Sequence, residues 1–238
     1  LKELSLPKAL IKLGYDNFKN LEQLEKITVS TNNTYFTTQD NVLFDKNMET
    51  LYCYASMKTN VMYTIPDSVK SICSYAFSST KYLETLYTNI GLNRIQSMAI
   101  HDCKQLKTIF ISKTIAYLEQ SFLENLSQLE NIIVDEENLH YTDENGVLYN
   151  KEKTILIIYP SHRSDTIFSI PDSVRSIGQK AFCNNQNLTS IYLPITISKA
   201  SYLAFYNCPN LIITCAFSEL PRKFHQIWYE NIKELRFN

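Results

Sequence analysis

Glycine is scarce in this chain: only four of the 238 residues are Gly, against sixteen Tyr and twelve Phe. Phosphate-binding loops and left-handed turns draw on the backbone freedom of glycine, so the composition predicts few of either. Cysteine occurs six times, but never as a CxxC pair, which argues against a structural zinc site.

An excess of charge of one sign is also missing. The 23 Lys and Arg residues nearly balance the 24 Asp and Glu residues, and they alternate along the chain instead of forming a basic stripe. We therefore expect no nucleic-acid partner. No apolar run approaches the roughly 18 residues that a membrane span needs, and no signal peptide is recognisable. The sequence begins inside a repeat, so a trimmed fragment is one interpretation.

A period of 23 residues runs through much of the chain. It separates Leu83 from Leu106 and Leu106 from Leu129, and it also separates Leu188 from Leu211. Such a period lies in the range of leucine-rich repeats, whose units bury their apolar faces only by stacking on one another.

A second, longer period of 105 residues spans several of these units. The segment Ile65–Val69 returns unchanged as Ile170–Val174. Both periods are accounted for if strands begin at 1, 24, 60, 83, 106, 129, 165, 188 and 211. Two units, 24–59 and 129–164, are then 36 residues long. We interpret the extra 13 residues in each as β-hairpin insertions, because two apolar runs there flank a polar turn.

These repeats predict an α/β-type solenoid of the leucine-rich-repeat class. We expect a curved parallel β-sheet, short helical or irregular segments opposite it, and the two hairpin insertions. The whole of 1–238 would form a single domain, with repeats over about 1–215. From about Phe217 the pattern fails, so 216–238 is predicted to be a C-terminal cap that shields the last layer.

The repeats resemble the BspA-type, or Treponema-pallidum-type, leucine-rich-repeat family. The matching motifs are IPDSVxSIGxxAF at 170–182, AFxxCxxL at 204–211 and the insertion NGVLYNK at 145–151. The resemblance implies a surface or secreted protein that attaches to host matrix proteins, other cells or other microbes, without catalysis or cofactors. The alternative is an intracellular protein–protein interaction scaffold in a protist.

A row of outward-facing side chains is the first candidate binding surface. The fifth position of each unit should face solvent, and it holds Tyr87, Phe110, Ile133 and Tyr192. Exposed aromatic and apolar side chains often anchor protein partners. The competing interpretation is that the row only satisfies β-strand propensity or packs under an insertion.

The hairpins are the second candidate. Tyr52 and Tyr54 make the first one aromatic-rich, and Tyr141, Tyr149 and Tyr159 mark the second. Insertions into repeats often carry binding. Ordinary cross-strand packing is the competing interpretation.

Other reactive side chains give little reason to expect chemistry. Cys103 and Cys208 share one repeat position, so we predict two buried thiols and no disulfide between them. The four His residues are scattered, and no nucleophile elbow, phosphate loop or dinucleotide motif occurs. We therefore expect no enzyme activity, no cofactor and no metal site, and a protein ligand as the partner.

Overall fold

The computed structural model describes residues 1–14 and 16–237, which form two compact units with a boundary between Ser127 and Gln128. The boundary lies within a residue of the end of the first 105-residue period. The described residues consist of strands and turns, and they include no helix that could span a membrane. That residues 1–238 act as one domain stays a prediction.

Fourteen short strands build the first unit. They are β1 Glu3–Leu6, β2 Lys26–Val29, β3 Phe36–Gln39, β4 Val42–Asp45, β5 Thr50–Tyr54, β6 Met62–Thr64, β7 Ser71–Ile72, β8 Phe77–Ser78, β9 Thr85–Tyr87, β10 Arg94–Ile95, β11 Ile100–His101, β12 Thr108–Ile111, β13 Tyr117–Leu118 and β14 Leu123–Glu124.

Parallel ladders join equivalent strands of successive coils. One ladder contains β6, β9 and β12, a second contains β5, β7, β10 and β13, and a third contains β8, β11 and β14. Within the 23-residue coils the register equals the sequence period, so Thr85 pairs with Thr108. Each coil therefore crosses three ladders before the next coil stacks on it.

The 36-residue coil 24–59 contains antiparallel strands. β3 pairs with β4, and β4 pairs with β5, with a register shift between Leu43 and Phe44. Asp40 and Asn41 form the turn between β3 and β4, both with positive φ. The last strand of this group, β5, joins the second parallel ladder.

Ten strands build the second unit. They are β15 Asn131–Val134, β16 Tyr141–Glu144, β17 Val147–Asn150, β18 Ile155–Ile158, β19 Ile167–Ser169, β20 Ser176–Ile177, β21 Ser190–Leu193, β22 Lys199–Ala200, β23 Phe205–Cys215 and β24 Tyr229–Phe237.

The second unit repeats the scheme of the first. β16, β17 and β18 are antiparallel neighbours in coil 129–164, and β18, β20 and β22 form a parallel ladder. A second ladder runs through β19, β21, β23 and β24. Ser190 pairs with Ile212, so the register drops from 23 to 22 where the repeat pattern begins to waver.

The C-terminal segment continues the stack. β24 pairs in parallel with the long strand β23, and Trp228, directly before it, is only 2% exposed. The Trp228 ring meets Phe205 edge-on, with ring centroids 5.8 Å apart. The segment predicted as a cap therefore adds a further strand beside β23, with a register shift between Cys208 and Ile212.

Repeat positions line the core. Leu83, Leu86, Leu106 and Ile109 are each fully buried in the first unit. In the second unit, Leu188, Ile191 and Leu211 are fully buried, and Phe182 stacks on Phe205 with centroids 4.7 Å apart. The predicted parallel leucine-rich-repeat solenoid is confirmed by these ladders and buried rows.

The repeats predict short helical segments opposite the main ladder, but turns and two-residue strands lie there in the described chain. Position 16 of a coil has positive φ at Tyr75, Met98 and Ser121, and at Lys180 and Leu203 in the second unit. A left-handed residue reverses the backbone and cannot continue a right-handed helix. The chain turns a corner at this point and enters the third ladder.

The expectation of few left-handed turns is also wrong. Seventeen described residues other than glycine have positive φ. Position 20 of a coil is a second left-handed corner, occupied by the short polar residues Asn20, Ser79, Asp102, Asn125, Asn184 and Asn207. Asn and Asp adopt this conformation more readily than most residues, so they replace the missing glycines.

Candidate protein-binding surface

Two aromatic rings lie together on the outer face of the first unit. Tyr87 and Phe110 are stacked with centroids 4.4 Å apart and ring planes 11° apart, and both side chains are half-buried. We call these two residues the aromatic pair. Thr64 occupies the neighbouring position of the same ladder and is exposed.

The ladder itself produces this stacking. β9 and β12 are parallel and in register, so Tyr87 and Phe110 are direct partners on strands about 4.8 Å apart. Leu86 and Ile109, one residue earlier, point inward and are fully buried. Lys107 and Glu84 form an ion pair of 2.8 Å in the adjoining turn. The rings thus sit on a fixed backbone beside a neutralised charge pair.

The second unit carries the other two residues of the predicted row. Ile133 is 39% exposed and Tyr192 is 46% exposed, so both point outward as expected. Ser169 and Thr214 are the ladder partners of Tyr192. Tyr192 therefore stands between hydroxyl side chains, without the aromatic partner that Tyr87 has.

The two tyrosines predicted from the first hairpin have different surroundings. Tyr54 is only 1% exposed and stacks on Phe77 at 5.2 Å, so its ring cannot meet a ligand at the surface. The pairing of β4 with β5 contains a register shift, so simple alternation along β5 does not predict which of its side chains are buried. The sequence does not reveal this shift. Tyr52 is half-buried and meets Phe36 edge-on at 5.5 Å.

A buried cation secures the turn between β3 and β4, and sequence reasoning missed it. The Lys58 ammonium lies 5.4 Å from the Tyr54 ring centroid and donates to the Asp40 carbonyl oxygen at 2.6 Å. It also pairs with the Asp40 carboxylate at 2.6 Å. The sequence contains one signal for this contact: a cation recurs 105 residues later.

The same arrangement recurs in the second unit. Arg163 lies 5.5 Å from the Tyr159 ring and donates to the Asn145 carbonyl oxygen, and these residues are the 105-residue equivalents of Lys58, Tyr54 and Asp40. Arg163 also pairs with Asp165 at 2.7 Å. We call each set a cation clamp. Each holds a hairpin turn in place, which is a structural role.

Buried asparagines are a second feature that the repeat analysis did not find. Asn33 and Asn89 are nearly inaccessible and bridge coil corners. The Asn33 amide donates to the carbonyl oxygens of Pro7 and Leu10, and its side-chain oxygen accepts from the Phe36 backbone N–H. These bonds satisfy backbone groups that a tight corner would otherwise leave unpaired.

The prediction of buried thiols at Cys103 and Cys208 is confirmed. Both are fully buried, and each donates to the carbonyl oxygen of an aromatic residue of the preceding coil, Phe77 and Phe182, at 2.9 Å. Burial raises the pKa of the Cys103 thiol to about 11 and that of Cys208 to about 12. Both thiols therefore stay protonated and unreactive near neutral pH.

Stacked coils with parallel ladders, inward Leu and Ile rows and an outward aromatic pair define a leucine-rich-repeat solenoid protein. The family model described as BspA type leucine rich repeat region matches in six copies, over residues 1–60, 49–164 and 158–237. The chain belongs to this BspA-type leucine-rich-repeat family. Repeats of this family typically form non-enzymatic scaffolds.

Solved structures with the same fold come from bacterial proteins. The pneumococcal vaccine antigen PcpA matches with a TM-score of 0.65 and 17% identity, covering 98% of this chain and 68% of PcpA. A leucine-rich cell surface protein of Faecalibacterium prausnitzii A2-165 matches with a TM-score of 0.67 and 18% identity, covering 100% of this chain and 79% of that protein.

A leucine-rich repeat protein of Eubacterium ventriosum ATCC 27560 is a third match, with a TM-score of 0.59 and 19% identity over 90% of this chain and 68% of that protein. At these identities the likeness establishes the fold alone. No curated protein sequence matches the chain.

Proposed function

We propose that this chain is a protein-binding scaffold on a cell surface or in a secreted protein, and that it acts as an adhesin toward host matrix proteins or other cells. The aromatic pair carries the proposal. Tyr87 and Phe110 are stacked, partly exposed and mounted on a rigid ladder, and pre-positioned aromatic rings are favoured anchors of protein interfaces. Ile133 and Tyr192 are further candidate contacts.

Binding is tested by replacing the aromatic pair. The double variant Tyr87→Ser, Phe110→Ser should reduce capture of purified matrix proteins on the immobilised chain by about tenfold or more, because two anchors are lost. Since both side chains point outward, the variant should fold. A matched control is Tyr117→Ser, which removes an exposed tyrosine from β13, a strand of a different ladder.

Equal capture by the double variant and the native chain would exclude the aromatic pair as the binding site. Loss of capture by Tyr117→Ser as well would indicate a nonspecific effect of removing surface tyrosine. Circular dichroism spectra of all three proteins should overlap, which separates a binding defect from unfolding.

An intracellular interaction scaffold is the second candidate. The observation that favours it is the burial of Cys103 and Cys208 as thiols, since unbridged cysteines are typical of reducing compartments. Labelling of intact cells with a membrane-impermeant amine reagent separates the two. A surface protein is labelled before lysis, whereas an intracellular one is labelled only after lysis.

A further inference from the structure

A groove of about 470 Å³ in the first unit lies away from the aromatic pair. Its lining residues come from β3, β4, β5 and β7, from the turn segments after β7 and β10, and from the segment that contains residues 11–14 and Phe18. Four aromatic residues line it: Phe18, Tyr35, Phe36 and Tyr52. This volume is within the usual range for small-molecule sites.

Polar groups around the groove have hydrogen-bonding capacity to spare. Within the described residues, the hydroxyl groups of Thr50, Ser71, Ser74 and Tyr52 have no hydrogen-bond partner, although all four residues are at least half-buried. Gln96 accepts the Ser74 backbone N–H at 3.2 Å through Oε1, which leaves its amide NH₂ as a donor.

Asp45 contributes an unused acceptor. Its Oδ1 accepts the backbone N–H groups of Glu49 and Thr50 at 2.7 and 3.1 Å, and no hydrogen bond to Oδ2 occurs among the described residues. At the equivalent position of the second unit, Asn150 uses both ends of its amide: Oδ1 accepts from Ile155, and Nδ2 donates to Thr154 and Glu152. The local turn therefore does not require a carboxylate.

Two side chains of the groove have no counterpart in the second unit. Tyr52 is replaced by Ile157 and Gln96 by Ser201 at the 105-residue equivalents, while the backbone pairing of β5 with β7 matches that of β18 with β20. The fold thus tolerates the absence of both side chains. In the first unit, Tyr52 and Gln96 can therefore have a role other than folding.

We propose that this groove binds a pyranose sugar of a glycan. Hydroxyl, amide and carboxylate groups match the hydroxyls of a sugar as donors and acceptors, and the aromatic rings suit its apolar C–H face. Lys12 and Asp45 are the charged lining residues and have opposite signs, which favours a neutral ligand over an anion or a cation. Burial, Cys73 and Asp45 together raise the pKa of Tyr52, so its hydroxyl remains a donor.

The test uses ligand-detected saturation-transfer NMR on the full chain with four probes: the methyl glycosides of glucose, galactose, mannose and N-acetylglucosamine. At least one should receive saturation. Tyr52→Ile should weaken its affinity by about tenfold or more, because a ring contact and a hydrogen bond are both lost. Gln96→Ser and Asp45→Asn should each weaken it.

The controls separate this site from the proposed protein-binding surface. The Tyr87→Ser, Phe110→Ser variant should bind the sugar with the affinity of the native chain. The Tyr52→Ile variant should still capture the protein ligand of the aromatic pair. Absence of transfer to all four probes, or unchanged affinity in Tyr52→Ile, would overturn the proposal. If Tyr52→Ile failed to fold by circular dichroism, unchanged affinity in both Gln96→Ser and Asp45→Asn would overturn it instead.

Discussion

Apolar and polar residues of this chain obtain their surroundings in different ways. Leu83 and Leu106 are fully buried because the period of 23 places each of them at the same inward position of its coil. A polar side chain finds its partners only in the folded chain. Lys58 has an ordinary charged sequence context, and only the folded turn between β3 and β4 brings Asp40 and Tyr54 to it. Contacts of this kind depend on tertiary placement, which a one-dimensional pattern does not contain.

The Lys58 clamp should contribute measurably to stability. Lys58→Met removes the bonds to Asp40, and because the lysine side chain is only 5% exposed, we expect the free energy of unfolding to fall by about 1–3 kcal/mol. Lys58→Arg should lose less, since Arg163 performs the same role in the second unit. Urea denaturation measures both.

Lys81→Met is the matched control for this clamp. Lys81 also lies over a tyrosine ring, 5.5 Å from the Tyr82 centroid, but it is exposed. Its loss should change stability by less than about 0.5 kcal/mol. A loss equal to that of Lys58→Met would contradict a special role for the clamp.

The thiol of Cys103 predicts a pH effect in alkali. Its pKa is raised from 9.0 to about 11 in the folded state by burial, so folding favours the protonated thiol. That contribution is complete below pH 9 and is lost as the pH rises from 9 to 11. Urea midpoints should therefore fall less steeply over this window in Cys103→Ala than in the native chain. Parallel slopes would refute the assignment.

Strands and ladders were predictable because each coil repeats the inward Leu and Ile pattern at a fixed step. Corners were not, because hydrophobic periodicity carries no information on the sign of φ. The repeat pattern predicts a short helical segment after Cys73, yet Tyr75 adopts a φ of 59° there. The antiparallel strands β3–β5 and β16–β18 lie in the two long coils, and their origin as insertions stays an interpretation.

One corner contains an asparagine ladder that should stabilise the second unit. Asn207 donates to Asn184 at 2.9 Å and accepts from Asn231 at 2.8 Å, and all three have positive φ. Asn207→Ala loses these bonds, and alanine adopts the left-handed conformation less readily than asparagine. The free energy of unfolding should therefore fall by about 1–3 kcal/mol. Thermal and urea denaturation report this change.

Asn207→Gly separates the two causes. Glycine keeps the corner conformation without strain but has no side-chain amide, so its loss should be smaller than that of alanine. Asn210→Ala is a control that removes an exposed bond to Gln186 outside the ladder. Equal losses for alanine and glycine at position 207 would show that the conformation contributes nothing.

Coil stacking makes stability local, since each coil contacts its neighbours. Trp228 covers Phe205 at the end of the second unit and packs on Phe224 with centroids 5.0 Å apart. Trp228→Ala should lower the stability of this unit by roughly 3–5 kcal/mol. Hydrogen exchange should accelerate in β23 and β24 while β1 and β2 keep their protection.

Tyr229→Ala is the control for this change, because Tyr229 is the neighbouring residue but is 37% exposed. It should leave the exchange of β23 nearly unchanged. Accelerated exchange in β1 and β2 of the Trp228→Ala variant would contradict local stability.

The candidate binding sites were only partly predictable from the sequence, because coil stacking does not constrain which side chains occupy solvent-facing positions.

The cation clamps recur as complete sets. Lys58, Asp40 and Tyr54 lie in one 105-residue period, and Arg163, Asn145 and Tyr159 lie in the next. A gene segment encoding one period therefore carries every partner that its hairpin turn needs. Unequal recombination could add or delete whole periods in frame without breaking a clamp, so we expect relatives to differ in length by multiples of this segment.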